Sequence, residues 1–380
     1  MSRVAIVGGG WAGMAAAVQA CRAGHLVTVF EAARSLGGRA RALSEDMAGL
    51  DNGQHILIGA YTETLGLMAL VGVDLDAALQ RRTLSLRYPD GGGLALPDWP
   101  APLDALAGIL TARGWDWRDK LSLLRAALSW KRARFECAPS TTVAQLSQTL
   151  RARVVTEFVE PLCLSALNTP MAQASAQVFL RVLRDALLGP AGGSHLLLPQ
   201  HDLSRLFPDA AARWLQRHGG EVRRARRVHA LAAQSGGWTV DGEPFDTVLL
   251  ACAPWDAARL VEEYAGAQPA DDGWATSART LRHEAIATVY ALSRRRLAQP
   301  MLALRSGPGA PAQFVFDRGL PRKVPTPGAG HDSDAQRVVL AFVVSACREE
   351  RDVLSQQVMA QGRAQLGLDD LEPMQTVVEK

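Results

Sequence analysis

The chain has 380 residues, with 41 Lys and Arg against 38 Asp and Glu, so its formal net charge is only +3. This balance argues against nucleic-acid binding through bulk positive charge. Hydrophobic residues make up 48% of the chain, which excludes a largely disordered protein. Because a single core stops growing at roughly 250 to 300 residues, the length predicts two domains.

The five cysteines form no Cys-x-x-Cys pair, and their odd number predicts free thiols in a reducing compartment. His195 and His201 are six residues apart, so the familiar metalloprotease spacing is absent and we predict no metal site. No segment approaches the roughly 20 apolar residues of a membrane span, and no N-terminal run is long enough for a secretory signal. We therefore expect a cytoplasmic protein that is neither exported nor membrane-spanning.

The first elements carry a nucleotide-binding pattern. An apolar strand at 4–7 leads into Gly8, Gly10 and Gly13, and an alanine-rich helix follows from about Ala12. In this Gly-x-Gly-x-x-Gly spacing the first glycine permits a tight turn, and the second lets backbone approach a pyrophosphate. The third lets the helix lie close on the sheet. The pattern predicts a dinucleotide whose phosphates lie at the helix N-terminus.

An acidic residue completes this unit. Gly24 is predicted to end the helix, and residues 26–30 form a second strand that leads to Glu31 and Ala32. Glu31 lies 18 residues beyond Gly13, close to the roughly 20 expected for a carboxylate that binds the adenosine ribose hydroxyls. The alternative is a structural glycine turn with an exposed Glu31.

The next segment indicates which dinucleotide binds. Gly37, Gly38 and Arg39 resemble the extension found in the FAD-containing amine oxidase and phytoene desaturase superfamily. In that superfamily the Gly-Gly turn passes the flavin nucleotide's phosphates and the arginine adds positive charge. An arginine that often lies two residues after the acid is replaced here by Ala33. The resemblance implies FAD as the cofactor.

The run Asp51, Asn52, Gly53, Gln54, His55 narrows the resemblance to the squalene-associated FAD-dependent desaturases, also called hydroxysqualene dehydroxylases. This resemblance adds Gly53 and Gln54 to the expected FAD site. Further segments similar to that family lie at 158–162, 167–170, 194–199 and 313–319. The segment at 219–228 resembles the second FAD segment of the superfamily, in which backbone at the Val228 position pairs with adenine.

The resemblance implies an α/β fold, with a Rossmann-like FAD-binding domain of amine-oxidase type and a second, α+β substrate domain. The expected parts are an FAD domain at 1–75 plus 206–275, a substrate domain at 76–205 plus 276–345, and a helix with a truncated return to the FAD domain at 346–380. Superfamily members finish with a further strand and helix that face the flavin. We expect this C-terminal FAD segment to be missing, with an apolar edge exposed or covered by another chain. The Gly/Pro-rich stretch 319–335 is predicted to be a loop.

The resemblance also implies a reaction, the reductive removal of the hydroxyl of hydroxysqualene to give squalene, a linear C30 polyprenoid, in squalene and hopanoid synthesis. Reduced FAD would deliver hydride, and the protein must supply a proton so that the hydroxyl leaves as water. The candidate donors are His55 and Asp51 beside the expected flavin, and Glu160, whose apolar neighbours would favour its protonated form. Alternatively, His55 only holds flavin or backbone and Glu160 caps a helix or forms a salt bridge.

A polyprenoid substrate dissolves in the bilayer, so peripheral membrane contact is expected, and residues 115–135 are the best candidate. Trp115 and Trp130 flank a helical pattern with basic residues on its other face. The apolar face of that pattern comprises Trp117, Leu121, Leu124 and Leu128. Packing of this helix between domains is an equal alternative. Contact with other squalene-pathway enzymes is a further expectation.

Other functions stay open at this stage. A carotenoid-type desaturase or an amine oxidase would use the same cofactor, because flavin geometry permits hydride transfer in either direction. A non-catalytic chain that binds membranes or partner proteins would fit a missing FAD segment. A soluble NAD-binding reductase would leave the turn from Gly37 to Arg39 unexplained.

Overall fold

The computed structural model describes residues 1–43, 49–187, 189, 191–265, 273–319 and 337–379. The strands are β1 (Arg3–Val7), β2 (Leu26–Phe30), β3 (Leu57–Ile58), β4 (Leu79–Arg82), β5 (Ser85–Arg87), β6 (Gly93–Ala95), β7 (Leu196–Pro199), β8 (Glu221–Arg223), β9 (Leu231–Gln234), β10 (Gly237–Val240), β11 (Glu243–Phe245), β12 (Thr247–Leu250), β13 (Ala285–Ser293), β14 (Met301–Ala303), β15 (Phe314–Asp317), β16 (Val338–Cys347) and β17 (Glu372–Glu379).

The helices are α1 (Trp11–Arg22), α2 (Thr62–Leu70), α3 (Leu75–Ala78), α4 (Leu103–Leu110), α5 (Trp117–Arg132), α6 (Val143–Leu146), α7 (Ala152–Val154), α8 (Glu160–Leu167), α9 (Ala176–Leu187), α10 (Leu203–Leu206), α11 (Pro208–Arg217), α12 (Pro254–Ala265), α13 (Trp274–Arg279) and α14 (Arg351–Leu366). A π-helical turn, Val155–Val159, joins α7 to α8. No helix in the described part of the chain is both long and apolar enough to cross a bilayer.

A parallel four-stranded sheet, in the order β12-β1-β2-β8, carries the nucleotide-binding pattern. The two central strands, β1 and β2, are short, apolar and mostly buried, as covered parallel strands are. Ile6 and Met14 are among the core residues between the sheet and α1. The predicted second strand and the end of the first helix are confirmed, because β2 spans 26–30 and Gly24 follows α1 with a φ of +86°. The predicted α/β class is therefore correct.

An antiparallel five-stranded sheet, in the order β14-β15-β16-β13-β17, forms the second layer. Its long strands β13 and β16 are buried along nearly their whole length, because helices and loops cover both faces. The strand in the segment predicted to return to the FAD domain, 346–380, belongs to this second sheet and not to the parallel sheet. β17 pairs with β13 of this second sheet, and its Val377 packs in the same core as Tyr290.

The sequence predicted an exposed apolar edge and a loop at 319–335. Within the described residues β12 is an edge strand of the four-stranded sheet, and Leu249 on it is 40% exposed. The predicted loop at 319–335 lies, apart from Gly319, outside the described residues.

Close backbone contact fixes α1 on β1. A Cβ atom added at Gly13 would lie 1.8 Å from the carbonyl oxygen of Gly8, so only glycine permits this approach. Gly8 itself has a φ of +113° and lies against the backbone of Ala251, where β12 ends. The first and third glycines therefore hold the strand, the turn and the helix together.

Replacing Gly13 with alanine should destabilise the fold by about 1–3 kcal/mol, because the added methyl group overpacks a rigid backbone contact. Thermal unfolding of the cofactor-free protein measures the effect. Gly66→Ala is the matched control, since nothing lies within 4 Å of a Cβ at that helical position. The control should be neutral or slightly stabilising, and equal losses in both variants would contradict the packing argument.

Candidate active site

The glycine turn and Glu31 form one hydrogen-bonded unit at the carboxyl end of the four-stranded sheet. One carboxylate oxygen of Glu31 accepts from Gly9 N at 2.7 Å and the other accepts from Ala33 N at 2.7 Å. Ala12 is exposed in the first turn of α1, and the residue before that turn, Gly10, offers no side-chain cap. The N–H groups of this helix end are therefore directed at an open space beside a carboxylate.

The Gly37-Gly38 turn lies against the glycine turn. Gly37 N donates to Gly9 O at 2.9 Å, and a Cβ added at Gly10 would have Gly38 Cα as its nearest neighbour, at 3.8 Å. Gly38 is exposed and Gly10 is half-buried, so the backbone of both turns is open to a ligand. Arg39 follows, with its side chain exposed. The predicted residues from both motifs thus meet at one cleft.

Asp51 is fully buried and tightly held. Its carboxylate accepts from Leu203 N at 2.9 Å and pairs with the Arg318 guanidinium at 2.8 Å, while the Tyr290 hydroxyl donates to its backbone oxygen at 3.0 Å. Burial raises the pKa of Asp51, and Arg318 partly offsets that rise. Both carboxylate oxygens are occupied, so the contacts of Asp51 are those of a structural ion pair.

The residues after Asp51 are fixed between the two sheets. Gln54 N donates to the Thr288 hydroxyl on β13 at 3.0 Å, and the Gln54 side-chain oxygen accepts from Arg318 at 3.0 Å. Gly53 has a φ of +118°, a conformation that favours glycine. Its carbonyl lies 3.2 Å from Nδ1 of His55.

Burial lowers the pKa of His55, so its imidazole is neutral near pH 7. With Nδ1–H donated to the Gly53 carbonyl, Nε2 carries a lone pair. The positive charge of Arg39 lies close enough to His55 to lower its pKa as well. Asn52 connects the same region to β17, because its side-chain amide donates to Arg39 O at 3.2 Å and to Glu379.

Val228 is buried and lies in an irregular segment between β8 and β9. β8 ends at Arg223, and the chain then bends so that Arg226 N donates to Glu31 O at 2.8 Å. The carbonyl of Val228 accepts from the Arg259 guanidinium at 3.2 Å. The segment therefore runs next to Glu31, and Arg259 already contacts its backbone.

The buried acid of the segment that precedes α8 is Glu157, not Glu160. Glu157 accepts from Trp115 Nε1 at 2.8 Å and pairs with Arg305 at 2.8 Å. Glu160 begins α8 half-buried, and its carboxylate forms no hydrogen bond or ion pair within the described residues. Glu157 lies three residues before Glu160 in the same apolar run, but it was not predicted from the sequence as a candidate.

The expected membrane segment also needs a correction. Trp115 and Trp130 are in the core, because α5 buries the face that carries Leu123, Ala126 and Trp130. Trp117 on the opposite face is exposed.

Comparison with known proteins identifies the family. The model of the flavin containing amine oxidoreductases matches residues 11–379. The chain belongs to this family. Its cofactor is FAD.

Individual relatives of this flavin amine oxidoreductase are enzymes of isoprenoid metabolism. It is 31% identical over 284 residues to hydroxysqualene dehydroxylase of Rhodopseudomonas palustris and 30% identical over 283 residues to that of Sinorhizobium fredii, in each case covering 68% of this chain and 63% of the relative. The chain thus spans less than two thirds of these relatives. Zeta-carotene desaturase of Synechocystis is 34% identical over 125 residues, which cover 32% of this chain and 25% of the relative.

Solved structures agree on the fold. An oxidoreductase from Methanosarcina mazei superposes with a TM-score of 0.69 at 16% identity, over 99% of this chain and 87% of its own. A putative protoporphyrinogen oxidase from Exiguobacterium gives a TM-score of 0.65 at 20% identity, over 100% and 86%.

The residues present fit FAD. Gly10 and Gly38 lack side chains, so a ligand can approach the backbone of both turns. The uncapped N-terminus of α1 and Arg39 suit a diphosphate, and the Glu31 carboxylate suits ribose hydroxyls.

Glu31→Gln should weaken FAD binding by about 10- to 100-fold, because hydrogen bonds to a charged group contribute about 1.5–3 kcal/mol. Quenching of flavin fluorescence during titration of the cofactor-free protein measures the dissociation constant. Glu63→Gln, an exposed carboxylate on α2, is the matched control and should bind as the parent does. Unchanged affinity in Glu31→Gln would contradict the assignment.

Arg318→Leu should destabilise the protein by about 3–5 kcal/mol, because it leaves the buried Asp51 carboxylate unpaired. The deficit relative to the parent should be larger at pH 7.5 than at pH 5. Loss of Arg318 raises the pKa of Asp51 in the folded state further, so the folded state binds a proton more readily than the unfolded state and loses stability as pH rises.

Denaturant titrations at both pH values test this dependence. Arg181→Leu, which breaks an exposed pair with Asp185, is the control and should cost under about 1 kcal/mol at either pH. A deficit in Arg318→Leu that grows on acidification would contradict the assignment of a buried, charged Asp51.

Proposed function

We propose that this flavin amine oxidoreductase removes the hydroxyl of hydroxysqualene reductively, giving squalene. The observation that supports this proposal most is the similarity to hydroxysqualene dehydroxylases over 284 residues, which cover 68% of the chain. A carotenoid desaturase shares a shorter stretch, 125 residues. We also propose the division into an FAD domain at 1–75 plus 206–275 and a substrate domain at 76–205 plus 276–345.

When bound in its reduced form, FAD would supply a hydride to the carbon that loses oxygen. The chain's own residues bind and orient the cofactor, keep water away and provide a proton. Gly8, Gly10, Gly13 and Glu31 are proposed to hold the nucleotide half of FAD. The remaining proposed contacts are Ala12, Ala32, Gly38, Arg39, Gly53, Gln54 and Val228.

The proton donor decides whether hydroxide must leave or water can leave instead. Asp51 is the least suited of the three candidates, because Leu203 and Arg318 occupy its carboxylate. His55 is neutral and presents a lone pair, which suits orientation of the hydroxyl by accepting its hydrogen. Glu160 has a free carboxylate, and we propose it as the donor.

The substrate sets the location. A linear C30 polyprenoid partitions into bilayers, so we propose a cytoplasmic protein that works at the membrane surface, in squalene and hopanoid synthesis. Contact with other enzymes of squalene synthesis would let the substrate pass without entering water.

The test is product formation by the 380-residue chain loaded with FAD. Incubation with hydroxysqualene and a chemical reductant of flavin should yield squalene, identified by mass spectrometry. Phytoene and a primary amine, offered with oxidised FAD, are the alternative substrates. Conversion of either one without squalene formation would replace the proposal by desaturase or amine oxidase activity.

Glu160→Gln should lower kcat for squalene formation by about 10²- to 10⁴-fold, the usual contribution of a general acid. FAD content and thermal stability should stay near those of the parent, because Glu160 forms no polar contact within the described residues. Glu63→Gln serves as the control for loss of a carboxylate. Full activity in Glu160→Gln would exclude it as the donor and direct attention to His55.

A further inference from the structure

We infer that α4 and α5 form a docking surface for an anionic membrane, with lipid phosphate groups held in an arginine-lined cavity beside it. The inference rests on the proposed function, because an enzyme that acts on a polyprenoid must take its substrate from a bilayer.

Helix α4 presents leucines to solvent along one face. Leu103, Leu106 and Leu110 follow at steps of three and four and are 55%, 42% and 53% exposed. The opposite face is the buried one, with Gly108 and Ile109 in contact with the core. These leucines contribute little to the core of the described chain, and their exposure together is unusual for a surface helix.

Helix α5 continues this surface. Trp117 is 67% exposed and Leu128 is 52% exposed, although the helix buries a full face of its own. The two helices are neighbours, because the Lys120 ammonium donates to Leu110 O at 2.8 Å. Trp99, which is 56% exposed, precedes α4. Exposed tryptophans with leucines are typical of surfaces that enter the headgroup region.

The charge of the surface formed by α4 and α5 indicates which kind of partner it binds. Residues 99–135 contain seven Lys or Arg against three Asp. Two of these acids, Asp104 and Asp119, are buried, and the third, Asp116, caps α5. The outward charge of the surface is therefore positive. An anionic bilayer is complementary to apolar anchors surrounded by cations, and each basic residue adds attraction there.

A cavity of about 480 Å³ lies at the connection between α4 and α5. Arg113, Arg153 and Arg305 line it together with the carboxylates of Asp90 and Glu157, so the lining carries three positive and two negative side chains. Arg305 is held by Asp90 and Glu157, and Arg153 donates to Gly114 O. Arg113 forms no ion pair in the part of the chain that the structure describes. Its fork of donors is therefore available to a phosphate group.

Vesicle binding of the FAD-loaded chain tests the inference without any substrate. The probes are phosphatidylcholine vesicles with and without phosphatidylglycerol. Co-sedimentation should be strong only with the anionic vesicles and should weaken as salt rises. Leu103→Ser and Leu110→Ser should each weaken binding about tenfold, and Arg113→Gln about fivefold.

Matched controls are Leu281→Ser and Val353→Ser, which remove side chains of similar exposure elsewhere, and Arg217→Gln on α11. All three should bind as the parent does. Inorganic phosphate at the same ionic strength as sodium chloride should compete no better than the chloride. Stronger competition would show a site for free phosphate and overturn the lipid assignment.

Equal binding to neutral and anionic vesicles, no binding, or equal losses in the controls would each overturn the inference. A dimer in size-exclusion chromatography that Leu103→Ser dissociates would instead identify an interface between two copies. Vesicle binding without squalene formation would refute the proposed reaction alone, and squalene formation without vesicle binding would refute the docking surface alone.

Discussion

The contact between α1 and β1 determines the rest of the nucleotide site. Because Gly13 lies directly on the Gly8 carbonyl, the N-terminus of α1 is held at the carboxyl end of the sheet. The Gly37-Gly38 turn can then pack on the glycine turn, and Glu31 can accept from Gly9 N. Both contacts depend on a close approach of backbone atoms, which the glycines permit because they have no side chains. This geometry explains why the cofactor cleft forms from residues close in sequence.

A second constraint connects that cleft to the rest of the molecule. Asp51 contacts Leu203 beside the parallel sheet, and Arg318 and Tyr290 from the antiparallel sheet. A buried ion pair of this kind contributes little net stability, but the loss of either partner leaves an uncompensated buried charge. The segment that follows, with Gln54 and His55, is thereby held between both layers. The exposed helices α4 and α5 lie outside this framework.

Local patterns could be predicted from the sequence, and distant pairings could not. The glycine spacing, Glu31 and the Gly37-Gly38 turn act over a few residues, so their signals are contiguous. Arg318 meets Asp51 across 267 residues, and Glu157 meets Arg305 across 148, distances at which periodicity carries no information. The same limit explains the pairing of β17 with β13 and the burial of Trp130, since a helical pattern with apolar residues on two faces does not say which face is buried.

The most direct test of the account is one anaerobic turnover of the FAD-loaded chain, followed by visible absorption. The flavin is first reduced, excess reductant is removed, and hydroxysqualene is added. The oxidised flavin spectrum should return in proportion to the squalene formed, because the electrons leave the cofactor for the substrate. Two results together would contradict the proposed reaction: the flavin stays reduced when hydroxysqualene is added, and phytoene bleaches the oxidised flavin.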